Sequence, residues 1–159
     1  MPISANSKVR IARAAPGDAA LLTRIAFAAK SYWGYPEAYL DLWKADLSIT
    51  SEYIRKNTVL KAVNEKGDIL GVGAIEYSTA FSAYEIGHMW VYPKYMGYGI
   101  GRLLINALIH HAQKAGITQL YAVSDPNARR FYKKMGFVLT GQQESKPEGR
   151  TLPVLILPI

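Results

Sequence analysis

Three glycines alternate in the segment Val91-Tyr92-Pro93-Lys94-Tyr95-Met96-Gly97-Tyr98-Gly99-Ile100-Gly101-Arg102. The residues before them read as a strand and those after them as a long helix. A strand-to-helix turn of this kind makes an anion cradle. Glycines reach positive φ and let backbone N–H groups approach a ligand with no Cβ between. The unpaired N–H groups at the helix start add about half a positive charge. Two phosphates in a row fit such a cradle, although the same glycines also suit a plain turn with no ligand. A Walker loop is excluded, because no Gly-Lys-Ser/Thr follows. A dinucleotide loop is disfavoured, because the spacing is Gly-x-Gly-x-Gly. Gln119 and Leu120 also stand where that loop wants an acid, about 20 residues on.

Composition bounds what such a cradle serves. Among 159 residues there are 19 Lys plus Arg and 12 Asp plus Glu, a net charge of +7. That balance favours anionic partners without choosing among phosphates, nucleic acid and acidic membrane. Half the residues are apolar and 19% are charged, which supports a packed core and excludes global disorder. The length suits one domain over residues 1–159. The absence of cysteine excludes disulfides, Cys-based zinc sites and a cysteine acyl-enzyme. Residues 1–10 lack the apolar run of a signal peptide, and no run of about 18 apolar residues occurs. A cytoplasmic globular protein without a membrane partner is expected.

The elements that must hold the glycine turn follow from pattern. Residues 1–8 read as a loose end and 9–13 as a short strand. Pro16 and Asp18 open a helix reaching Lys30, with proline tolerated in the first turn and the acid near the positive dipole end. Further helices are expected near 36–46 and 51–56. Strands follow at 58–63, 69–77 and 84–92, the last ended by Pro93, which has no N–H for a ladder. The helix 100–114 is apolar round much of its circumference, so it is buried, and Gly116 stops it. Residues 120–124 form a strand, 126–135 a helix stopped by Gly136, and 137–141 and 152–157 the final strands. The order β-α-α-β-β-β-α-β-α-β-β, leaving out the short helix 51–56, predicts an α/β or α+β domain with a mixed sheet.

Met96-Gly97-Tyr98-Gly99-Ile100-Gly101 resembles the pyrophosphate loop Arg/Gln-x-x-Gly-x-Gly/Ala of the GNAT superfamily of N-acetyltransferases. Gly99 and Gly101 match its glycines, and Met96 stands at the Arg/Gln position. Backbone donors carry most of the grip in such a loop, so Met96 weakens binding without abolishing it. Asp125-Pro126-Asn127-Ala128-Arg129-Arg130-Phe131-Tyr132-Lys133-Lys134-Met135-Gly136-Phe137 resembles the family's Asn-x-x-Ala-x-x-x-Tyr-x-x-x-Gly-Phe, with Asp125 where Asn is commoner. The element order is similar to the family's as well. The resemblance implies the GNAT fold: a mixed, mostly antiparallel sheet of about six to seven strands flanked by helices, splayed at the strand before the glycine loop.

It also implies transfer of the acetyl group of acetyl-CoA to a primary amine, with no metal. An alkyl ammonium has a pKa near 10.4, so about one molecule in 2,500 is neutral at pH 7 and a base is useful. Glu85 matches a position where some family members carry a catalytic carboxylate. On a regular strand residues 85, 87, 89 and 91 share a face. Gly87 is then expected to leave room for substrate beside Glu85, and His88 to face the other way and rank below it. A water chain is the remaining alternative. The resemblance places Tyr132 beside the thioester sulfur as the acid that protonates the leaving thiolate, with Phe131 able to fill the packing role. Without cysteine, direct attack in a ternary complex is favoured.

For coenzyme A the resemblance assigns Met96, Gly97, Tyr98, Gly99, Ile100, Gly101 and Arg102, and backbone groups near Met89, Val91 and Tyr92 for the pantetheine arm. Asp125, Ala128 and Phe131 are expected at the same ligand. The acceptor, a small-molecule or peptide amine, is expected to meet Tyr32, Trp33 and Tyr35, with Tyr39 and Trp43 beyond, and to have its charge read by Glu148 or Arg150. The same aromatics also suit a small core beneath two helices. His110 and His111 are adjacent on a helix and read as non-metal. Arg129, Arg130, Lys133 and Lys134 read as a solvated face or as attraction for phosphates. A homodimer is compatible with the resemblance. Two other classes stand beside this reading: a CoA-binding sensor without chemistry, which Met96 and Asp125 keep open, and a basic nucleic-acid module. The charges are spread along the chain, so no nucleic acid is expected.

Overall fold

The computed structural model describes residues 8–159, so residues 1–7, most of the segment read as a loose end, lie outside the described residues. In chain order the strands are β1 (Arg10–Arg13), β2 (Thr58–Val63), β3 (Ile69–Ser78), β4 (Ala83–Val91), β5 (Gln119–Val123), β6 (Val138–Glu144) and β7 (Thr151–Pro158). The helices are α1 (Ala19–Ser31), α2 (Glu37–Leu42), α3 (Lys44–Leu47), α4 (Ser51–Lys56), α5 (Ile100–Lys114) and α6 (Arg129–Lys134). The strands form one sheet in the order β1-β2-β3-β4-β5-β7-β6. Neighbours are antiparallel except β4 and β5, which are parallel. The element order predicted a mixed sheet, and the resemblance implied the mostly antiparallel one observed.

Local chemistry sets the helix ends. Asp18 accepts from the Ala15 N–H at 2.8 Å and pairs with Lys61 at 2.8 Å, fixing the entry to α1. The Thr50 side chain caps α4 by accepting from the Tyr53 N–H. At the end of α5, Gly116 turns left-handed and the Ile117 N–H returns to the Ala112 carbonyl at 2.9 Å.

Two apolar layers sandwich the sheet. On one face α5 buries Ile100, Leu104, Ile105, Leu108 and Ala112 against Leu60, Leu70, Leu120 and Leu155, and Tyr132 and Phe137 join them. On the other, α1 to α4 bury Leu22, Ile25, Trp43, Leu47 and Ile54 against Val59, Val72 and Ala74.

Two helix predictions need correction. The helix expected at 36–46 is broken at Trp43 into α2 and α3. The Trp43 indole is 5% exposed and its Nε1 donates to the Lys146 carbonyl at 2.9 Å, an anchor from the far end of the chain. The helix expected at 126–135 starts as a tight turn over Pro126–Ala128, with Asp125 accepting from the Asn127 N–H, and becomes α6 only at Arg129.

Candidate active site

The glycine turn has the predicted shape. Gly97 and Gly99 have φ of 85° and 80°, and a Cβ at either would meet nothing within 4 Å. Both glycines are thus left-handed and open to a ligand. Gly99 caps α5, whose first turn contains no acid. Ile100 anchors that turn with a side chain 2% exposed, and Arg102 and Tyr98 are exposed. Gly101 serves packing, because a Cβ there would lie 3.1 Å from the Phe131 ring. The basic residues Arg129, Arg130, Lys133 and Lys134 are all exposed.

Before the turn the sheet opens. β4 pairs with β5 only at Glu85↔Tyr121 and Ile86↔Ala122. Beyond Ile86 the edge of β4 that faces β5 has no strand partner among the described residues. The Tyr92 N–H bonds to the Leu70 carbonyl at 2.9 Å, on the β3 side, and its carbonyl accepts from Tyr95 at 2.8 Å. Both backbone groups of Tyr92 are therefore taken, against expectation. Alternation puts those of Met89 and Val91 on the open edge.

The faces of β4 are not those of a regular strand. Ile75 pairs with Ile86 but Ala74 pairs with His88, so Gly87 is an extra residue in a bulge. The bulge resets the alternation. Met89 and Val91 pack toward α5, while Glu85, His88 and Trp90 share the opposite face, on one cavity. His88 thus stands with Glu85, contrary to the expectation from period two. The room at Gly87 is not empty either. A Cβ there would fall within the van der Waals radii of Glu76 Oε1 and Tyr53 Oη, so the glycine makes space for this chain's own carboxylate. Gly87→Ala is expected to evict Glu76 and cost about 1.5–3 kcal/mol, the worth of a hydrogen bond to a charged group. Melting should fall by roughly 3–12 °C, and an unchanged melting temperature would show that Glu76 relocates without loss.

The cavity measures about 730 Å³. On one wall Glu76 and Glu85 are direct cross-strand partners, and Tyr53 Oη donates to Glu76 Oε1 at 3.1 Å. Burial, reinforced by the Glu76 charge, raises the Glu85 pKa to about 7. Burial lowers that of His88 to about 4. His88 Nδ1 accepts from Trp90 Nε1 at 2.9 Å, so the neutral ring carries its proton on Nε2. Sequence reasoning missed Glu76 and Tyr53.

The other wall centres on Asp125. Lys30 Nζ lies 2.5 Å from Asp125 Oδ2, Tyr35 Oη donates to the same oxygen at 2.9 Å, and the Asn127 N–H donates to Oδ1 at 2.8 Å. Arg150 stands 3.6 Å from Oδ2 and donates to Tyr35 Oη at 3.1 Å and Ser145 Oγ at 3.2 Å. Trp43 lies under both cations, 4.6 Å from Lys30 Nζ and 4.5 Å from the Arg150 guanidinium carbon. Burial works to raise the Asp125 pKa. The bond and charge of Lys30, with donors from Asn127 and Tyr35, outweigh it and hold the carboxyl below its ordinary value. Burial lowers the pKa of Lys30; its bond to Asp125 opposes this and the like charge of Arg150 adds to it.

Of the loop aromatics, only Tyr35 joins this cluster. Tyr32 and Trp33 stack edge to face on each other, 56% and 43% exposed. Glu148 is exposed, and Arg150 alone of the two charge-reading candidates lines the cavity. Tyr132 is 5% exposed and sits 5.2 Å from both Phe131 and Phe137, ring to ring. No described hydrogen bond uses Tyr132 Oη. Burial raises its pKa, which keeps the phenol protonated.

A second recess of about 650 Å³, walled by Arg13, Arg55, Tyr84 and His111, lies at the end of β4 far from the glycine turn. Among the described residues no group of three or more His, Asp or Glu is disposed to hold a metal, and no helix is long and apolar enough to cross a membrane.

Residues 40–153 match the family described as acetyltransferase (GNAT) domain. An uncharacterised N-acetyltransferase, ycf52, of Pyropia yezoensis is 25% identical over 54% of this chain and 51% of its own. A streptothricin acetyltransferase of Streptomyces lavendulae is 32% identical over 55% of this chain and 48% of its own. The chain thus spans about half the length of the curated relatives it matches. The PaiA N-acetyltransferase of Thermoplasma acidophilum, solved in complex with coenzyme A, is similar in fold with a TM-score of 0.76. The identity is 17%, covering 96% of this chain and 99% of that one.

Proposed function

This chain belongs to the GNAT acetyltransferase family, and we propose that it is a single catalytic domain transferring the acetyl group of acetyl-CoA to a primary amine by direct attack. The observation that carries the reading is the parting of β4 from β5 after Ile86. It leaves an open strand edge between the glycine turn on one side and the acid-lined cavity on the other. The residues present fit coenzyme A. Gly97 and Gly99 offer unfilled space at a helix start for its phosphates. Met89 and Val91 offer backbone pairs for its amide arm, with Arg102 exposed nearby. That the Thermoplasma protein was solved with coenzyme A supports this choice.

Acetyl-CoA supplies the activated thioester, and the remaining work falls to side chains of this chain. Glu85 takes the proton from the acceptor ammonium. A carboxylate with a pKa of about 7 lies nearer the ammonium value of ~10.4 than an ordinary one, so the transfer is less uphill. Tyr132 holds a proton for the departing sulfur. Its burial disfavours a phenolate and disfavours a thiolate in the same surroundings. The amine's lone pair forms the new C–N bond as the C–S bond breaks. The ammonium sheds two protons on its way to the amide. Glu85 takes one before attack. The other, lost from nitrogen as the C–S bond breaks, replaces the one that Tyr132 gives to sulfur.

Thiol release from acetyl-CoA across an amine panel tests the reading. Release with no amine in the panel overturns neither fold nor family but removes the transferase reading and leaves a protein that binds without chemistry. Glu85→Gln tests the base. The wild-type rate is expected to rise with pH through about 7 as Glu85 loses its proton. The variant should lose that limb and about a hundredfold in kcat. Retention of the limb removes Glu85 from the role.

A further inference from the structure

The cavity is polarised. Glu76 and Glu85 occupy one wall, and Lys30, Asp125 and Arg150 the other, while Asp46, Glu144 and Lys146 at the cavity's edge are exposed to solvent. The cationic wall is not balanced. Lys30, Asp125 and Arg150 have side chains only 9%, 7% and 14% exposed, and two cations share one carboxylate. Asp46 acts on Lys30 by charge but is exposed, where solvent screens it. A desolvated excess charge is unfavourable until a counter-charge arrives.

Arg150 is the member with capacity to spare. Asp125 is closed on Lys30, and at 3.6 Å it makes only a long contact with the guanidinium. The hydrogen bonds of Arg150 go to two neutral hydroxyls. A guanidinium has five N–H donors in a planar fork that matches a carboxylate with two parallel bonds. The rings of Tyr35 and Trp43, 5.2 and 4.5 Å from its central carbon, hold the fork in place before any ligand binds.

From this arrangement, and resting on the acetyl-transfer reading, we infer that the acceptor carries a carboxylate as well as its amine: the carboxylate docks on Arg150 and the amine faces Glu85. The two ends sit apart along the sheet. Asp125 follows Tyr121, the register partner of Glu85, by four residues, at most roughly 13 Å of extended chain. Side chains reaching inward shorten that span, so the acceptor's two groups are separated by several bonds.

The test measures thiol release with ω-amino acids from glycine to 6-aminohexanoate, each against the alkylamine of the same chain without the carboxylate. At one or more lengths the amino acid should exceed its alkylamine about tenfold or more in kcat/KM, chiefly through KM. Arg150→Gln should reduce that ratio about tenfold or more, and Arg150→Lys, which keeps charge without the fork, by less. Melting temperatures show whether each variant folds. Should Arg150→Gln fail to, the wild-type ratio and Arg150→Lys decide. Alkylamines equal to or better than amino acids at every length, or a ratio unchanged in the variants, overturn the inference while leaving acetyl transfer standing. Thiol release from no acceptor at all overturns acetyl transfer, and the inference with it.

Discussion

Tyr132→Phe is expected to lower kcat about a hundredfold, the typical scale of a positioned proton donor, and to leave the melting temperature almost unchanged. The separation of the two effects follows from where the atoms sit. The ring packs edge to face on Phe131 and Phe137, and phenylalanine keeps every one of those contacts. The hydroxyl alone changes, and no described hydrogen bond uses it. Removing it leaves no buried polar partner stranded. Tyr132→Ala would confuse the two roles, because truncating a buried aromatic costs about 3–5 kcal/mol of stability. Single-turnover measurement with saturating acetyl-CoA isolates the chemical step. Turnover within threefold of wild type would return Tyr132 to the packing role.

The glycine turn and the element order were legible because each rests on local chemistry or on pattern, whereas the sheet's parting was implied only by the family resemblance. Gly97 and Gly99 needed positive φ between a strand and a helix, and a short segment suffices to show that. The faces of β4 were not legible, because a bulge adds one residue and inverts alternation, and glycine at 87 is compatible with both a regular and a bulged strand. The pairing of Glu76 with Glu85 carried a usable signal. The two residues are equidistant from the hairpin turn at 79–82, so placing the turn would have placed the acids side by side. Asp125 illustrates the opposite limit. Its partners Lys30, Tyr35 and Arg150 are 95, 90 and 25 positions away, and no local pattern predicts such a meeting. The motif marked Asp125 as a departure from asparagine. Only the fold shows why a charge is useful there, since it neutralises one of two cations that asparagine would leave facing each other.

That same cluster carries the largest expected loss of stability. Asp125→Ala strands Lys30 and Arg150 together in a wall where both are nearly buried, and breaking a buried pair by removing one partner costs about 3–5 kcal/mol. For a chain of this length that corresponds to a fall in melting temperature of roughly 6–20 °C. Charge is the cause to be separated from lost packing. Asp125→Asn keeps the shape and the acceptor for the Asn127 N–H, yet should lose most of the same stability. Adding Lys30→Met to Asp125→Asn removes one stranded cation and should recover a large part of it. A double variant no more stable than Asp125→Asn would place the loss in hydrogen bonding instead of charge. The pH dependence gives an independent check with a definite sign. The folded pKa of Asp125 lies below its unfolded value, so its contribution is present above about pH 4 and disappears as pH falls through the folded value. Wild type should therefore lose stability in acid more steeply than Asp125→Asn, and the two melting curves should converge at the lowest pH.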